Sequence, residues 1–140
     1  MSRSKTDFII VHCSATEPDQ DIGARDIDRW HRARGFLKIG YQFVIRRDGT
    51  VEKGRDLDEV GAHAEGYNSR SVGICLVGGV EADGKTPQDN FTADQWSSLE
   101  GLLMKLKHQY PQAKIIGHRE VSRKACPSFD VQAWLASVGI

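Results

Sequence analysis

Three short apolar runs constrain the fold of this chain more than any other feature of its sequence. They read FIIV at residues 8–11, SVGICLVGG at residues 71–79 and KIIG at residues 114–117. Apolar runs of this length, bounded by polar residues or glycines, are typical of buried strands. We therefore predict three strands that lie inside a sheet, and we expect functional side chains where these strands end.

The segments between and after these runs have the spacing of amphipathic helices. The first helix ends near Gly35, and its helical positions are Ile27, Trp30, His31 and Arg34. The second begins with a capping box, in which Thr92 is followed three residues later by Gln95. A third, short helix closes the chain. We assign one tryptophan of each helix to the core, namely Trp30, Trp96 and Trp134.

The remaining pattern is a hairpin. The segment YQFVIRRDGTVEKG, with Asp48 and Gly49 at its turn, predicts two short paired strands. The order of elements is then strand, helix, three strands, helix, strand and helix. This order predicts an α/β fold with a central mixed β-sheet flanked by helices. The length of the chain, without repeats or linkers, predicts a single domain over residues 1–140.

The charge balance argues against a protein that binds nucleic acid directly. Lysine and arginine together number 19, as do aspartate and glutamate, whereas nucleic-acid binders usually have a basic excess. The apolar run near the N-terminus is too short for a signal peptide or a membrane span, so we expect a cytoplasmic protein without membrane insertion. No exposed heptad or apolar patch indicates a dimer, so we expect a monomer.

The chain has three cysteines, Cys13, Cys75 and Cys126. An odd number in a compartment that keeps thiols reduced argues against a disulfide framework. Side chains alternate along a strand, so Cys13 faces away from His12 and is interpreted as a small buried residue. We expect one cysteine with a chemical role and two buried ones.

Two histidines and a cysteine suggest a metal site. His12 and His118 each stand at the end of a predicted strand, and Cys126 follows His118 in a short loop. Imidazole and thiolate are zinc ligands, and a catalytic zinc has three protein ligands and one position for water. A fourth ligand, His63, would instead make a closed structural site. Cys126 is alternatively a nucleophile with a histidine base, and Lys124 would favour its thiolate in either scheme.

Four segments together resemble a known family: VHCSAT, GYQFVIRRDGTVEKGR, GAHAEGYNSRSVGICLVGG and KACPSFD. They are similar to the zinc-dependent N-acetylmuramoyl-L-alanine amidases of type 2, and in particular to the small phage lysozymes with amidase activity. The family also includes the peptidoglycan-recognition proteins of animals. The resemblance extends from Phe8 to Leu135. It implies a mixed sheet with helices packed against it and a zinc site in a surface cleft.

The resemblance also implies roles for particular residues. The family's zinc ligands match His12, His118 and Cys126, so Zn²⁺ is the expected cofactor. Its catalytic tyrosine and lysine match Tyr41 and Lys124. The implied substrate is peptidoglycan, cleaved at the amide bond between N-acetylmuramic acid and L-alanine. A phage endolysin of this kind would wait in the host cytoplasm until the membrane is permeabilised.

Further expectations concern substrate contacts and competing functions. In GAHAEGYN, we predict His63 and Asn68 as substrate-binding residues. Gln42 stands where some relatives carry a histidine after the tyrosine, and we assign it no chemistry. One alternative is a peptidoglycan-binding module without catalysis, although that branch usually lacks the cysteine ligand. Another is an amidase whose N-terminal tail also binds and inhibits the phage RNA polymerase, but only seven residues precede the first strand. We expect no separate wall-binding domain.

Overall fold

The computed structural model describes residues 2–140 and contains one five-stranded sheet flanked by helices. The strands are β1 (Phe8–Cys13), β2 (Phe43–Ile45), β3 (Val51–Lys53), β4 (Ser71–Leu76) and β5 (Lys114–Gly117). The helices are α1 (Ala24–Ala33), α2 (Ala93–Gln109) and α3 (Val131–Val138). The strands lie in the order β3-β2-β4-β1-β5, and only the β2–β3 pair is antiparallel. The predicted α/β fold with a central mixed sheet is confirmed.

Strand β1 lies between two parallel neighbours, β4 and β5, and is buried on both faces. Ile9, Val11 and Cys13 belong to the larger core, whereas Ile10 belongs to a smaller cluster on the other face. Helices α2 and α3 contribute to the larger core through Leu99, Leu103, Leu106, Val131 and Leu135. The alternation along β1 therefore directs His12 away from the larger core.

Helix α1 covers a third cluster of buried side chains, to which it contributes Ile27. His31, one turn later, is also buried, and its Nδ1 accepts a hydrogen bond of 2.9 Å from the Gly40 N–H. The prediction that Trp30 belongs to the core is wrong, because this side chain is 37% exposed. Only the narrow face with Ile27 and His31 is buried, and Trp30 lies beside it. Trp96 and Trp134 pack at the edge of the larger core, where they are partly buried.

Helix α2 begins with the capping box predicted from the sequence. The Gln95 N–H donates to Thr92 Oγ1 at 3.1 Å, and the Thr92 N–H donates to Gln95 Oε1 at 3.0 Å. Gln95 also connects the helix to the sheet, because its Nε2 donates to the carbonyl oxygens of Ile45 and Val77. Within residues 2–140, none of the helices has both the length and the apolar character that a membrane span requires.

Replacement of Gln95 by alanine is expected to lower the free energy of unfolding by about 3 kcal/mol. The side chain is fully buried, and its removal breaks its hydrogen bonds to the carbonyl oxygens of Ile45 and Val77. It also removes the acceptor of the Thr92 N–H and of Arg47 Nη1. Urea denaturation would measure the loss. The matched control is Gln109→Ala at the exposed end of the same helix, which should change stability by less than about 0.5 kcal/mol. Equal stabilities of the two variants would contradict this role of Gln95.

Candidate metal centre

Parallel pairing of β1 with β5 brings His12 and His118 together. Val11 is the register partner of Gly117, so the next residue on each strand lies at the same end of the sheet. His12 is still within β1, whereas His118 begins a short 3₁₀ turn directly after β5. Both imidazoles are buried, and their ring centroids are 4.4 Å apart.

Cys126 reaches the same place from the loop that follows His118. The candidate ligand atoms of His12, His118 and Cys126 all lie within 4.8 Å of one another. The loop is closed by a hydrogen bond of 2.7 Å from the Arg119 N–H to the Cys126 carbonyl oxygen. The Cys13 N–H donates to Cys126 Sγ at 3.0 Å. The three side chains thus converge as the sequence suggested, and their role as ligands stays a prediction.

The protonation of these groups suits a divalent cation. Burial, and after it the charges of His63 and His118, hold the pKa of His12 well below its usual value. Burial also lowers the pKa of His118. Both imidazoles are therefore neutral and have a free lone pair. A hydrogen bond with the Cys13 thiol, followed by burial, raises the pKa of Cys126, and a cation beside the sulfur would favour its thiolate. This donor set fits Zn²⁺.

His63 contacts this group through a hydrogen bond. Its Nδ1 lies 2.8 Å from His12 Nε2, and its Nε2 lies 3.3 Å from Ser71 Oγ. Burial, together with the charge of His118, lowers the pKa of His63 to about 3, so the ring is neutral. Both ring nitrogens have partners within the protein. His63 therefore supports His12 rather than completing a closed four-ligand site.

The backbone and packing hold His63 in place. The N–H groups of His63 and Ala64 both donate to Asn68 Oδ1, at 2.8 and 2.9 Å. The ring lies against Gly73 of β4, where an added Cβ would come within 2.7 Å of His63 Cγ. Glycine at this position is what allows so close an approach. The predicted contact of His63 and Asn68 with substrate stays a prediction, and both residues also have these structural tasks.

The three converging side chains lie in a surface cleft of about 790 Å³. Tyr41, just before β2, lines the same cleft, and its ring centroid is 5.0 Å from that of His12. Burial raises the pKa of the Tyr41 hydroxyl well above its usual value, so it remains a proton donor. Lys124 is an exposed residue of the loop before Cys126 and also lines the cleft. His63 and Asn68 line it as well.

Two features of the site were not predicted from the sequence. The Cys13 backbone supports Cys126, although the Cys13 side chain was correctly expected to be buried. Ser71 contacts His63, yet a serine at the start of an apolar strand has no distinguishing pattern. The first contact joins residues 113 positions apart, and the second depends on how the segment before β4 folds back onto that strand. No periodicity in the sequence reveals either contact.

The sequence of this chain is similar to those of known proteins. The sequence pattern of the N-acetylmuramoyl-L-alanine amidase family matches residues 2–129. The endolysin of Enterobacteria phage K11 is 55% identical over 133 residues, which is 95% of this chain and 87% of the endolysin. The endolysin of Escherichia phage T7 is 53% identical over 132 residues, with 94% and 87% of the two chains covered.

A solved structure supports the same assignment. The amidase LysC from Clostridium intestinale URNW superposes with a TM-score of 0.81 at 30% sequence identity, covering 97% of this chain and 87% of LysC. The family pattern extends over nearly all of the sequence, and relatives with more than half of their residues identical match along most of their length. On these grounds the chain belongs to the N-acetylmuramoyl-L-alanine amidase family.

Proposed function

We propose that this protein is a zinc-dependent endolysin that hydrolyses the amide bond between N-acetylmuramic acid and L-alanine in peptidoglycan. The observation that carries the proposal is the convergence of His12, His118 and Cys126 in a cleft that Tyr41 and Lys124 also line. A cleft of about 790 Å³ is within the usual size of ligand sites, roughly 300–1,000 Å³.

His12, His118 and Cys126 would hold the zinc ion. When bound at such a site, zinc lowers the pKa of water toward about 7 and polarises a carbonyl group, which helps with a poor nucleophile and a poor electrophile. Two neutral imidazoles and one thiolate leave a net positive charge at the centre. The protein contributes the burial that keeps both imidazoles neutral and the Cys13 N–H that stabilises negative charge on sulfur.

Tyr41 and Lys124 act on the substrate rather than on the metal ligands. The Lys124 ammonium stabilises the negative charge that develops on the carbonyl oxygen of the scissile amide. Tyr41 keeps its proton because burial raises its pKa, so its hydroxyl can orient water or donate toward the leaving amine.

Two of the competing functions have a feature that counts against them. A binding module without catalysis has no need of a thiol held beside two neutral imidazoles, which this chain has. A cysteine nucleophile needs a histidine within hydrogen-bond reach as its base, whereas within residues 2–140 the hydrogen bonds of Cys126 Sγ are with the backbone N–H and carbonyl of Cys13.

We propose that the protein waits as a monomer in the host cytoplasm until the membrane is permeabilised.

Digestion of purified peptidoglycan tests the proposed reaction. We expect mass spectrometry to find free lactyl carboxyl groups on muramic acid and free amino groups on L-alanine. A metal chelator should abolish the release of these ends, and added zinc should restore it. A thiol alkylating agent applied to the zinc-loaded protein is the control that distinguishes a Cys-His hydrolase. Release of reducing sugar ends, or full activity in the chelator, would contradict the proposal.

A further inference from the structure

Ser71 is a fully buried residue whose hydroxyl has two neighbours. It is the first residue of β4, and its side chain is directed toward the segment that carries His63. Ser71 Oγ donates to the Tyr67 carbonyl oxygen at 2.8 Å and lies 3.3 Å from His63 Nε2. A hydroxyl has a single proton to donate, so only one of these contacts can use it.

The position of that proton determines which nitrogen of the neutral His63 ring carries its hydrogen. The Tyr67 carbonyl accepts hydrogen bonds and cannot donate, and it is the nearer of the two partners. Since the Ser71 proton is directed to this carbonyl, the contact with His63 requires a proton on His63 Nε2. A neutral imidazole has only one N–H, so His63 Nδ1 has a free lone pair.

The same assignment of hydrogen-bond donors and acceptors fixes the tautomer of His12. His63 Nδ1 can only accept, and its neighbour at 2.8 Å is His12 Nε2, which must therefore carry the proton of that ring. The lone pair of His12 is then on Nδ1. A metal-binding histidine commonly donates its other N–H to a partner that fixes its tautomer. Here that partner is a second histidine, whose own tautomer depends on a serine.

We propose that Ser71 is a positioning residue for the metal centre. Through His63 it selects the tautomer in which His12 offers Nδ1 to the ion. The arrangement is rigid because Asn68 anchors the His63 backbone and the ring packs against Gly73. The inference rests on the proposed metal-dependent function, but the hydrogen-bond chain itself exists without the ion.

The first test is the tautomer of each histidine in the metal-free protein. ¹⁵N NMR of the imidazole rings should show protons on Nε2 of both His12 and His63. In the Ser71→Ala variant, His63 should no longer be held in a single tautomer. His12, which donates to His63, should then also show both tautomers. A proton on Nδ1 of His12 in the wild-type protein would overturn the proposal. This readout does not require zinc, so it stays decisive even if the wild-type protein proves not to bind zinc and the proposed function fails.

The second test is zinc affinity, measured by competition with a chromogenic chelator. Ser71→Ala should weaken binding about tenfold, at the lower end of the usual range for residues that orient metal ligands. The matched control is Ser98→Ala, which also removes a hydrogen bond from a serine hydroxyl to a backbone carbonyl, that of Gly49. Ser98 lies on helix α2 and does not line the cleft. The control should leave the zinc affinity unchanged. An equal loss of affinity in both variants would indicate general destabilisation of the fold and would overturn the proposal.

A double substitution tests whether Ser71 acts through His63. In His63→Asn, the side-chain oxygen takes the place of Nδ1 as acceptor for His12 but does not reach Ser71. Adding Ser71→Ala to this variant should have no further effect on zinc affinity. A tenfold loss that persists in the absence of His63 would show that Ser71 acts by another route and would contradict the proposed chain.

Discussion

Replacement of Cys126 by serine is expected to abolish zinc binding and, with it, hydrolysis of the cell wall. Cys126 is the only thiol in the group of three converging side chains, and a serine hydroxyl does not ionise to replace it. The affinity should fall by more than about 100-fold, because residues that merely orient ligands are already worth roughly 10- to 100-fold. Zinc content after dialysis and peptidoglycan digestion would measure the two losses.

Stability gives an independent readout of the same change. A ligand that binds only the folded state stabilises it by about 4 kcal/mol when its free concentration is 1,000 times Kd. Zinc should therefore raise the melting temperature of the wild-type protein and leave that of Cys126→Ser nearly unchanged. The control Cys75→Ala removes a buried thiol of β4 that is not in the group, and it should keep one zinc ion per chain. Full zinc content in Cys126→Ser would remove Cys126 from the ligand set.

Lys124→Ala and Tyr41→Phe are each expected to lower kcat by about 100- to 1,000-fold while zinc stays bound. Each variant removes a group that acts on charge or protons during the reaction, and neither removes a candidate ligand. Because the lost interaction develops in the transition state, KM should change little. Steady-state kinetics with a soluble muramyl peptide, together with zinc analysis of the same samples, would separate catalysis from metal binding.

The chain offers a close control for each of these variants. Arg123 is an exposed basic residue next to Lys124, so Arg123→Ala tests whether the loss of any positive charge from the loop lowers activity. Tyr110 follows helix α2, and Tyr110→Phe removes a phenol hydroxyl outside the cleft. Both controls should retain nearly full activity. If Lys124→Ala and Tyr41→Phe hydrolyse peptidoglycan at the wild-type rate, these two residues are not the catalytic pair.

The prediction of the fold succeeded where the signal was local. The apolar runs of β1, β4 and β5, the Asp48–Gly49 turn and the Thr92–Gln95 capping box are each contained in a few consecutive residues. The assignment of Trp30 to the core failed because the width of a buried helix face depends on what packs against it. Periodicity alone contains no information about that neighbour.

The candidate site was predictable only in part for a related reason. His12 and His118 end strands, and the carboxyl ends of parallel strands meet at one edge of a sheet, so their proximity follows from topology. The hydrogen bond between His63 and Ser71 does not, because it depends on how the segment before β4 folds back onto that strand. The tautomer that we propose for His12 depends on this contact, so it can be inferred only from atomic positions.

The three candidate ligands come from parts of the fold with different local stability. His12 and His118 stand at the ends of strands in the sheet, whereas the residues from 119 to 125 before Cys126 are largely exposed. Free energies of local opening are lowest where few buried contacts hold the chain. A fluctuation of that loop can withdraw the thiol while the sheet stays intact. The free energy needed to release a bound ion would then be lower than the free energy of unfolding, and we expect the metal-free protein to keep its native core.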